Sequence, residues 1–348
     1  MPNPHDQQRK ANFDDVYDLP DPRGYFATLA PLGYEAPEHG RRIFSTLLRA
    51  LGKKEGGSHK VLDLCCSYGV NAALLKHDLA LRDLYERYAS PNLAGFSAEE
   101  LAASDVAFYA SHRKASPPRV VGLDLASNAV SYALRAGVLD AGAVENLEED
   151  EPTEALRRAA RGAGLVTVTG GVGYIRERTF ERVLSCIMDD PAGGEPEDRN
   201  APWVAAFALR FADYAPIAAV LARRGLVTEK LSVRTFPQRR FENDGERAHA
   251  FRRLAEAGVD PSGKEESGWY YADLYLSRPR TPRRSPWTSC WLHWRFRALE
   301  RAGSSRGPWR RTVLIEPPED RREGRGEKQT FDRSQHGSEH GTIGARKR

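Results

Sequence analysis

The chain of 348 residues has few cysteines, little net charge and no long apolar run. Cys65, Cys66, Cys186 and Cys290 match no metal-ligand spacing, so reduced thiols are expected and a metal site is not. No stretch approaches the roughly 18 to 20 consecutive apolar residues a membrane span needs, so no membrane partner is expected. Met1–Lys10 is polar and has no signal-peptide core, which makes a cytoplasmic location the expectation. The net charge is only +4, and it is unevenly placed. Residues 279–348 hold 17 Lys and Arg against 8 Asp and Glu, leaving a net of −5 on residues 1–278. Charge on the body therefore argues against nucleic-acid binding there.

Forty per cent of the residues are hydrophobic, enough for a well-buried core, yet the mean hydropathy is −0.59. Polar segments at the two ends account for the difference. Residues 1–12 and those past Gly303 show little pattern and read as disordered, although Trp287, Trp291, Trp294 and Phe296 form an aromatic cluster in the basic tail. Residues 13–36 are rich in turns and aromatics (Phe13, Tyr17, Tyr25, Phe26, Tyr34), and Glu38–Leu51 carries a helical apolar stripe stopped by Gly52.

Strand and helix patterns then alternate. Strands are predicted at Lys60–Leu64, Val120–Leu125, Ala143–Leu147, Gly164–Thr169, Trp203–Arg210, Leu226–Phe236 and Trp269–Ser277. Helices are predicted at Val70–His77, Ser127–Ala136, Thr153–Gly162, Glu177–Met188, Tyr214–Arg224 and Arg247–Ala257. That rhythm gives an α/β fold with a doubly wound, seven-stranded, mostly parallel sheet. Residues 78–119 interrupt the alternation after the first βα unit; a capping box at Ser97-Ala98-Glu99-Glu100 opens a helix there, and the segment reads as a helical insertion and a lid. The expected organisation is a lead-in and helix at 1–52, one domain at 53–278 with its insertion at 78–119, and a basic tail at 279–348.

In an open α/β sheet, ligands bind beyond the carboxyl ends of the strands, where strand order reverses. The first strand ends in Asp63-Leu64-Cys65-Cys66-Ser67-Tyr68-Gly69, a turn of small residues leading into a helix, and the second ends in Asp124, placed to accept from a ribose diol. A dinucleotide would need G-x-G-x-x-G in the first turn, which holds only Gly69; Gly170-Gly171-Val172-Gly173 follows a later strand.

The first turn and Asp124 resemble motifs I and II of class I S-adenosylmethionine-dependent methyltransferases, whose first loop reads roughly D-x-G-x-G-x-G. Asp63 takes the acidic position, and Cys65, Ser67 and Gly69 take the three small ones. The resemblance spans about 60–278 and implies an antiparallel last strand at Trp269–Ser277. It implies S-adenosyl-L-methionine as cofactor, held by Asp63, Cys65, Ser67, Tyr68, Gly69, Asn71, Asp124, Leu125, Asn146, Thr169 and Gly170, with adenine near Glu145, Asn146 and Leu147. Tyr174 and Glu177, after the fourth strand, are the candidates for contact with the acceptor.

Plainer readings stand beside these. Asp63 could cap a turn, Glu177 could simply open a helix, Tyr68 could cover its loop, and His77 and His112 could be packing residues. Cys65-Cys66 could be a redox pair or small residues under the cofactor. The function expected is methyl transfer to a small-molecule acceptor. A nucleic-acid or protein methyltransferase using the basic tail, and a cofactor-binding protein without turnover, are the alternatives.

Overall fold

Apolar residues come in adjacent pairs along the strands, and each pair divides between two layers. In a computed structural model that describes residues 14–52, 59–189, 201–280 and 313–314, Val61, Val120 and Leu165 enter one hydrophobic layer, while Leu62, Val121 and Val166 enter the other. A parallel sheet buried on both faces requires this.

In chain order the described elements are α1 (Asp14–Tyr17), α2 (Arg23–Leu29), α3 (Ala36–Leu51), β1 (Lys60–Leu64), α4 (Val70–Lys76), α5 (Leu81–Tyr88), α6 (Ala98–Ser111), β2 (Arg119–Asp124), α7 (Ser127–Arg135), β3 (Ala141–Val144), α8 (Glu154–Ala160), β4 (Leu165–Val168), α9 (Glu177–Met188), β5 (Trp203–Leu209), α10 (Ala215–Arg223), β6 (Leu226–Lys230), β7 (Phe236–Arg240), α11 (Asp244–Glu256), β8 (Trp269–Pro279) and β9 (Val313–Leu314). The sheet runs β3-β2-β1-β4-β5-β8-β6-β9, with β7 also paired to β8. Strands β1 to β5 are parallel, and β8 enters antiparallel between β5 and β6. Strand order reverses between β1 and β4. This is the doubly wound, mostly parallel sheet expected, with Trp269–Pro279 as its antiparallel member.

Two features differ from the expectation. The described sheet has nine strands, not seven: β8 is eleven residues long and exceeds what β6 can cover, so β7 pairs with its other end, and β9 adds to the free edge of β6. Leu226–Phe236 is accordingly not one strand: β6 pairs with Tyr275–Pro279, and β7 pairs separately with Trp269–Ala272. The alternation Leu231, Val233, Thr235 continues the strand pattern across the break, so nothing local marks it.

Helices α3, α4 and α7 cover the first layer through Phe44, Leu47, Leu74 and Ala133; α8, α9 and α10 cover the second through Leu156, Phe180, Val183 and Leu221. The inserted segment belongs to the first layer. Its ends meet at a His77–Arg113 bridge, and Leu84, Tyr88, Leu101 and Tyr109 are buried in that core. Fully buried Asp105 accepts from Tyr88 Oη at 2.6 Å, Tyr132 Oη at 2.7 Å and Arg87 Nε at 2.5 Å, tying α6 to α5 and α7. A buried carboxylate satisfied three times over is a fixed joint. The expected capping box is present, with Glu100 N donating to Ser97 Oγ and Ser97 N to Glu100 Oε2. No described helix is long and apolar enough to cross a membrane. Val313–Leu314 pairs with β6 as β9, against the disordered reading past Gly303; the rest of that reading, the one for 1–12, Cys290 and the Trp287–Phe296 cluster lie outside the described residues.

Candidate functional site

Beyond β1 the chain makes a turn that L-residues avoid. Cys65, Ser67 and Gly69 have φ of 54°, 47° and 73°, three left-handed residues at alternate positions. For a residue with a Cβ this conformation costs about 1–2 kcal/mol, and such strain persists where the surroundings enforce it. The enforcing contacts are visible. Ser67 N donates to Asp124 Oδ2 at 2.7 Å, which pins the loop to the end of β2, and Ala126 N donates to the other oxygen at 3.0 Å. The side chains that replace glycines have space because glycines elsewhere yield it: a Cβ on Gly171 would stand 2.3 Å from Cys65 Sγ, and one on Gly122 would stand 2.6 Å from Cys66 Sγ.

This loop forms one side of a cavity of about 620 Å³ at the carboxyl ends of β1, β2 and β4. That size lies within the roughly 300–1,000 Å³ of small-ligand sites. Cys65, Ser67, Asn71, Asp124, Leu125, Asn146, Thr169, Gly170 and Tyr174 all line it, so the structure brings these sequence-predicted residues together. Leu125 and Tyr174 are 61% and 59% exposed, which places large apolar surface at the mouth. Glu148, also on the wall, accepts from Arg176 N, Thr179 N and Thr179 Oγ1. Burial opposes its charge, but these hydrogen bonds hold its carboxyl below the usual value.

Four predicted residues do not line the cavity. Asp63 is wholly buried beneath it, accepting from Thr167 Oγ1 at 2.6 Å and from Asn71 Nδ2 at 3.0 Å. Burial pushes its carboxyl up to about 7 despite those bonds. Asn71 Nδ2 also donates to Thr169 Oγ1 at 3.0 Å, so both amide hydrogens face protein and Oδ1 has no partner. Asp63 therefore acts on the cavity through Asn71. Gly69 is the N-cap of α4, and a Cβ there would stand 2.9 Å from Val138, so its role is close packing. Tyr68 is buried against Tyr25 and Tyr132 and donates to Leu19 O at 2.8 Å, fastening the N-terminal segment over the loop. Glu177 is the exposed first residue of α9, where an acid complements the helix end.

The histidines follow the plainer reading. His77 is buried with Nδ1 2.9 Å from Ala73 O, and burial lowers it to about 4; His112 sits against Phe108 O. Neither reaches the cavity. Burial pushes the thiols of Cys65 and Cys66 upward, which opposes thiolate chemistry.

The inserted segment contributes nothing to the cavity wall, so it is no lid over this site. The opposite wall comes from elsewhere. Tyr17, Asp18, Tyr25, Tyr34 and Pro37 supply part of it, and Gln238 and Arg239 of β7 the rest. The two parts are joined by Glu35 N to Gln238 O at 2.9 Å and Arg240 N to Leu32 O at 2.7 Å. Asp18 in turn caps α7, its Oδ1 accepting from Asn128 N at 2.7 Å. The aromatic richness of 13–36 signalled the first part. Nothing in the sequence pattern signalled Gln238, Arg239 or Glu148.

The side chains fit a zwitterionic nucleoside ligand. Two residues lining the loop side have a buried polar atom without a partner, Ser67 Oγ and Asn71 Oδ1, and Gln238 Oε1 on the opposite wall has none either. Buried polar groups are normally satisfied. Gly170 and Gly171 line the cavity at the end of β4, and Asp124 presents a half-buried carboxylate to it.

No protein-family profile matches the chain, and no curated protein does. Among solved structures, it is similar to a TehB-like SAM-dependent methyltransferase from Corynebacterium glutamicum (15% identity, 68% of this chain and 86% of that one, TM-score 0.32). It is similar also to the N-methyltransferase NodS from Bradyrhizobium japonicum in complex with S-adenosyl-L-homocysteine (12%, 69% and 87%, TM-score 0.31) and to the Bacillus protein YcgJ (9%, 70% and 99%, TM-score 0.37). Likenesses this distant carry no functional argument, and the site must be judged on its own geometry.

Proposed function

We propose that the chain transfers a methyl group from S-adenosyl-L-methionine to a small-molecule acceptor. The observation that carries this is the strained loop. Cys65 and Ser67 keep a left-handed backbone that only glycine adopts freely, and the loop is tied to Asp124 at the mouth of a cavity of ligand size. Holding that shape with side chains ill suited to it implies that the shape itself is needed.

Bound there, S-adenosyl-L-methionine would supply an electrophilic methyl group on a sulfonium. Asp124 would hold the ribose, since each of its oxygens has a further lone pair beyond those used by Ser67 N and Ala126 N. Asn71 Oδ1, turned by Asp63 and Thr169, would accept from the ammonium of the methionine part. The backbone from Cys65 to Ser67 would lie against the same part, and Leu125 and Asn146 against the adenine. The remaining work is alignment of the acceptor and exclusion of water, tasks that the N-terminal segment and β7 perform by closing the far wall. No general base is required of the chain, because many nucleophiles lose their proton to solvent.

Incubating the full chain with methyl-labelled S-adenosyl-L-methionine and a cell extract, then separating low-mass from macromolecular products, tests the reading. Label is expected in the low-mass fraction and absent with Asp124→Ala. Label confined to RNA or protein would replace the small acceptor with a macromolecular one.

A further inference from the structure

In a regular strand successive side chains point to opposite faces. Strand β7 breaks that rule: its register with β8 shifts between Pro237 and Arg239, and Gln238 and Arg239, neighbours in sequence, are both buried and both line the cavity. Bulges often stand beside functional sites, where they re-aim a side chain. Here the shift brings a carboxamide and a guanidinium to the same wall.

The two groups differ in what they have left to offer. Arg239 is paired in two-pronged fashion with Glu246, Nη1 lying 2.8 Å from Oε2 and Nη2 bonded to Oε1, and Nη1 also donates to Arg240 O. Its charge is compensated inside the protein. Gln238 is 3% exposed, and its Oε1 has no partner. Its amide stands at the end of β4, where a Cβ on Gly170 would be 3.4 Å from Nε2 and 3.3 Å from the Tyr34 hydroxyl. Around them are phenols: Tyr17 is within electrostatic reach of Tyr34, Tyr174, Arg239 and Asp124, and burial keeps Tyr17 and Tyr34 neutral well beyond the usual phenol range. Of the acids on the cavity wall, Asp124, Glu145 and Glu148 belong to its loop and β3 sides and accept from backbone N–H groups, and Asp18, on the N-terminal part of this wall, is turned to α7, its Oδ1 accepting from Asn128 N. Around Gln238 this end therefore has aromatic walls, a guanidinium already paired with Glu246 and one acceptor atom without a partner.

Resting on the methyl-transfer reading above, we propose that the acceptor is a small uncharged aromatic molecule bearing an N–H or O–H, and that Gln238 Oε1 accepts a hydrogen bond from it. As the heteroatom takes the methyl group, the sulfur keeps the electron pair of the broken bond to give S-adenosyl-L-homocysteine, and the proton leaves to solvent at the mouth beside Leu125 and Tyr174. Tyr174, at the mouth, covers the ring. An anion finds on this wall only the Arg239 guanidinium, already paired with Glu246, and a cation only Asp18, whose Oδ1 already accepts from Asn128 N.

Four ring-matched probes test this by ligand-observed NMR titration of the full chain saturated with S-adenosyl-L-homocysteine: phenol, anisole, benzoate and benzylamine. Phenol is expected to bind about fivefold more tightly than anisole, the worth of one neutral hydrogen bond, with both ions weaker than either. Gln238→Leu should remove the preference for phenol over anisole while leaving S-adenosyl-L-homocysteine affinity intact, which also shows that the variant is folded. Tyr174→Ala, at an exposed position, should weaken both neutral probes alike. Equal binding of phenol and anisole, tighter binding of either ion, no binding of any probe, or a phenol preference that survives Gln238→Leu would overturn the assignment. If S-adenosyl-L-homocysteine itself fails to bind, the methyl-transfer reading falls first, so the two failures are distinct.

Discussion

The two walls of the cavity are made on different principles. The wall proposed for the cofactor is backbone: strand ends, three left-handed residues and small side chains that let a ligand approach the main chain closely. The wall proposed for the acceptor is side chain: tyrosines from residues 17–34 and the Gln238–Arg239 pair of β7, joined by two long-range backbone hydrogen bonds. Main-chain geometry suits an unvarying ligand, since it changes little with substitution. Side chains suit a ligand that differs from one protein to the next. On this division, damage to the acceptor wall should spoil stability or selectivity, and damage to the cofactor wall should spoil cofactor binding.

The largest effect is expected on the acceptor wall. Arg239→Ala leaves Glu246 buried without its ion-pair partner, a loss of about 3–5 kcal/mol for a broken buried pair, readable as a lower urea midpoint. A change under 1 kcal/mol would mean that the β7 wall is not held by this pair. On the cofactor wall, Gly171→Ala drives a methyl into Cys65 Sγ, and overpacking of that kind costs about 1–3 kcal/mol. The double variant Cys65→Gly with Gly171→Ala should recover most of the stability and of the S-adenosyl-L-homocysteine affinity. If it does not, the glycine at 171 is needed for something other than the displaced loop side chain.

A subtler effect lies under the loop. The Asp63 carboxyl is raised from 3.8 to about 7 in the folded chain, so between those values the folded state holds a proton that the unfolded state has lost. Its contribution to stability is therefore present at low pH and is lost as pH rises toward 7, with a slope of up to about 1.4 kcal/mol per pH unit. Asp63→Asn, which never ionises, should gain on the wild type steadily from pH 4 to pH 7 and then run parallel. Parallel curves throughout would show that Asp63 is already ionised in the fold. Smallest is Tyr68→Phe, which removes only the hydrogen bond to Leu19 O, worth about 1 kcal/mol, and should appear as faster amide exchange in residues 14–35 at unchanged cofactor affinity.

The same division explains what could be read from the chain. The sheet was legible because alternating apolar pairs and turn signals are local, and the cofactor loop because its small residues lie within seven positions of one another. Even there, spacing located Asp63, Tyr68 and Gly69 without revealing their work, since a buried acid beneath a loop and an acid on its surface leave the same trace. Glu177 was misplaced for a similar reason: position after a strand does not fix which way a helix turns its first residue. The β7 wall was illegible. A bulge depends on pairing with β8, some thirty residues away in sequence, and the run through Leu231 to Phe236 looks like uninterrupted strand. The inserted segment misled in the opposite sense, because its helices were readable but the buried Asp105 joint that ties them to α7 was not.

The account depends most on Asp124 and the strained loop forming one cofactor site. Calorimetry of the full chain with S-adenosyl-L-homocysteine tests that directly. Micromolar-range binding is expected, weakened by about tenfold to a hundredfold in Asp124→Ala, since hydrogen bonds to a charged group are worth about 1.5–3 kcal/mol. Folded wild-type protein that binds no S-adenosyl-L-homocysteine, or an Asp124→Ala variant that binds as tightly as the wild type, would contradict it.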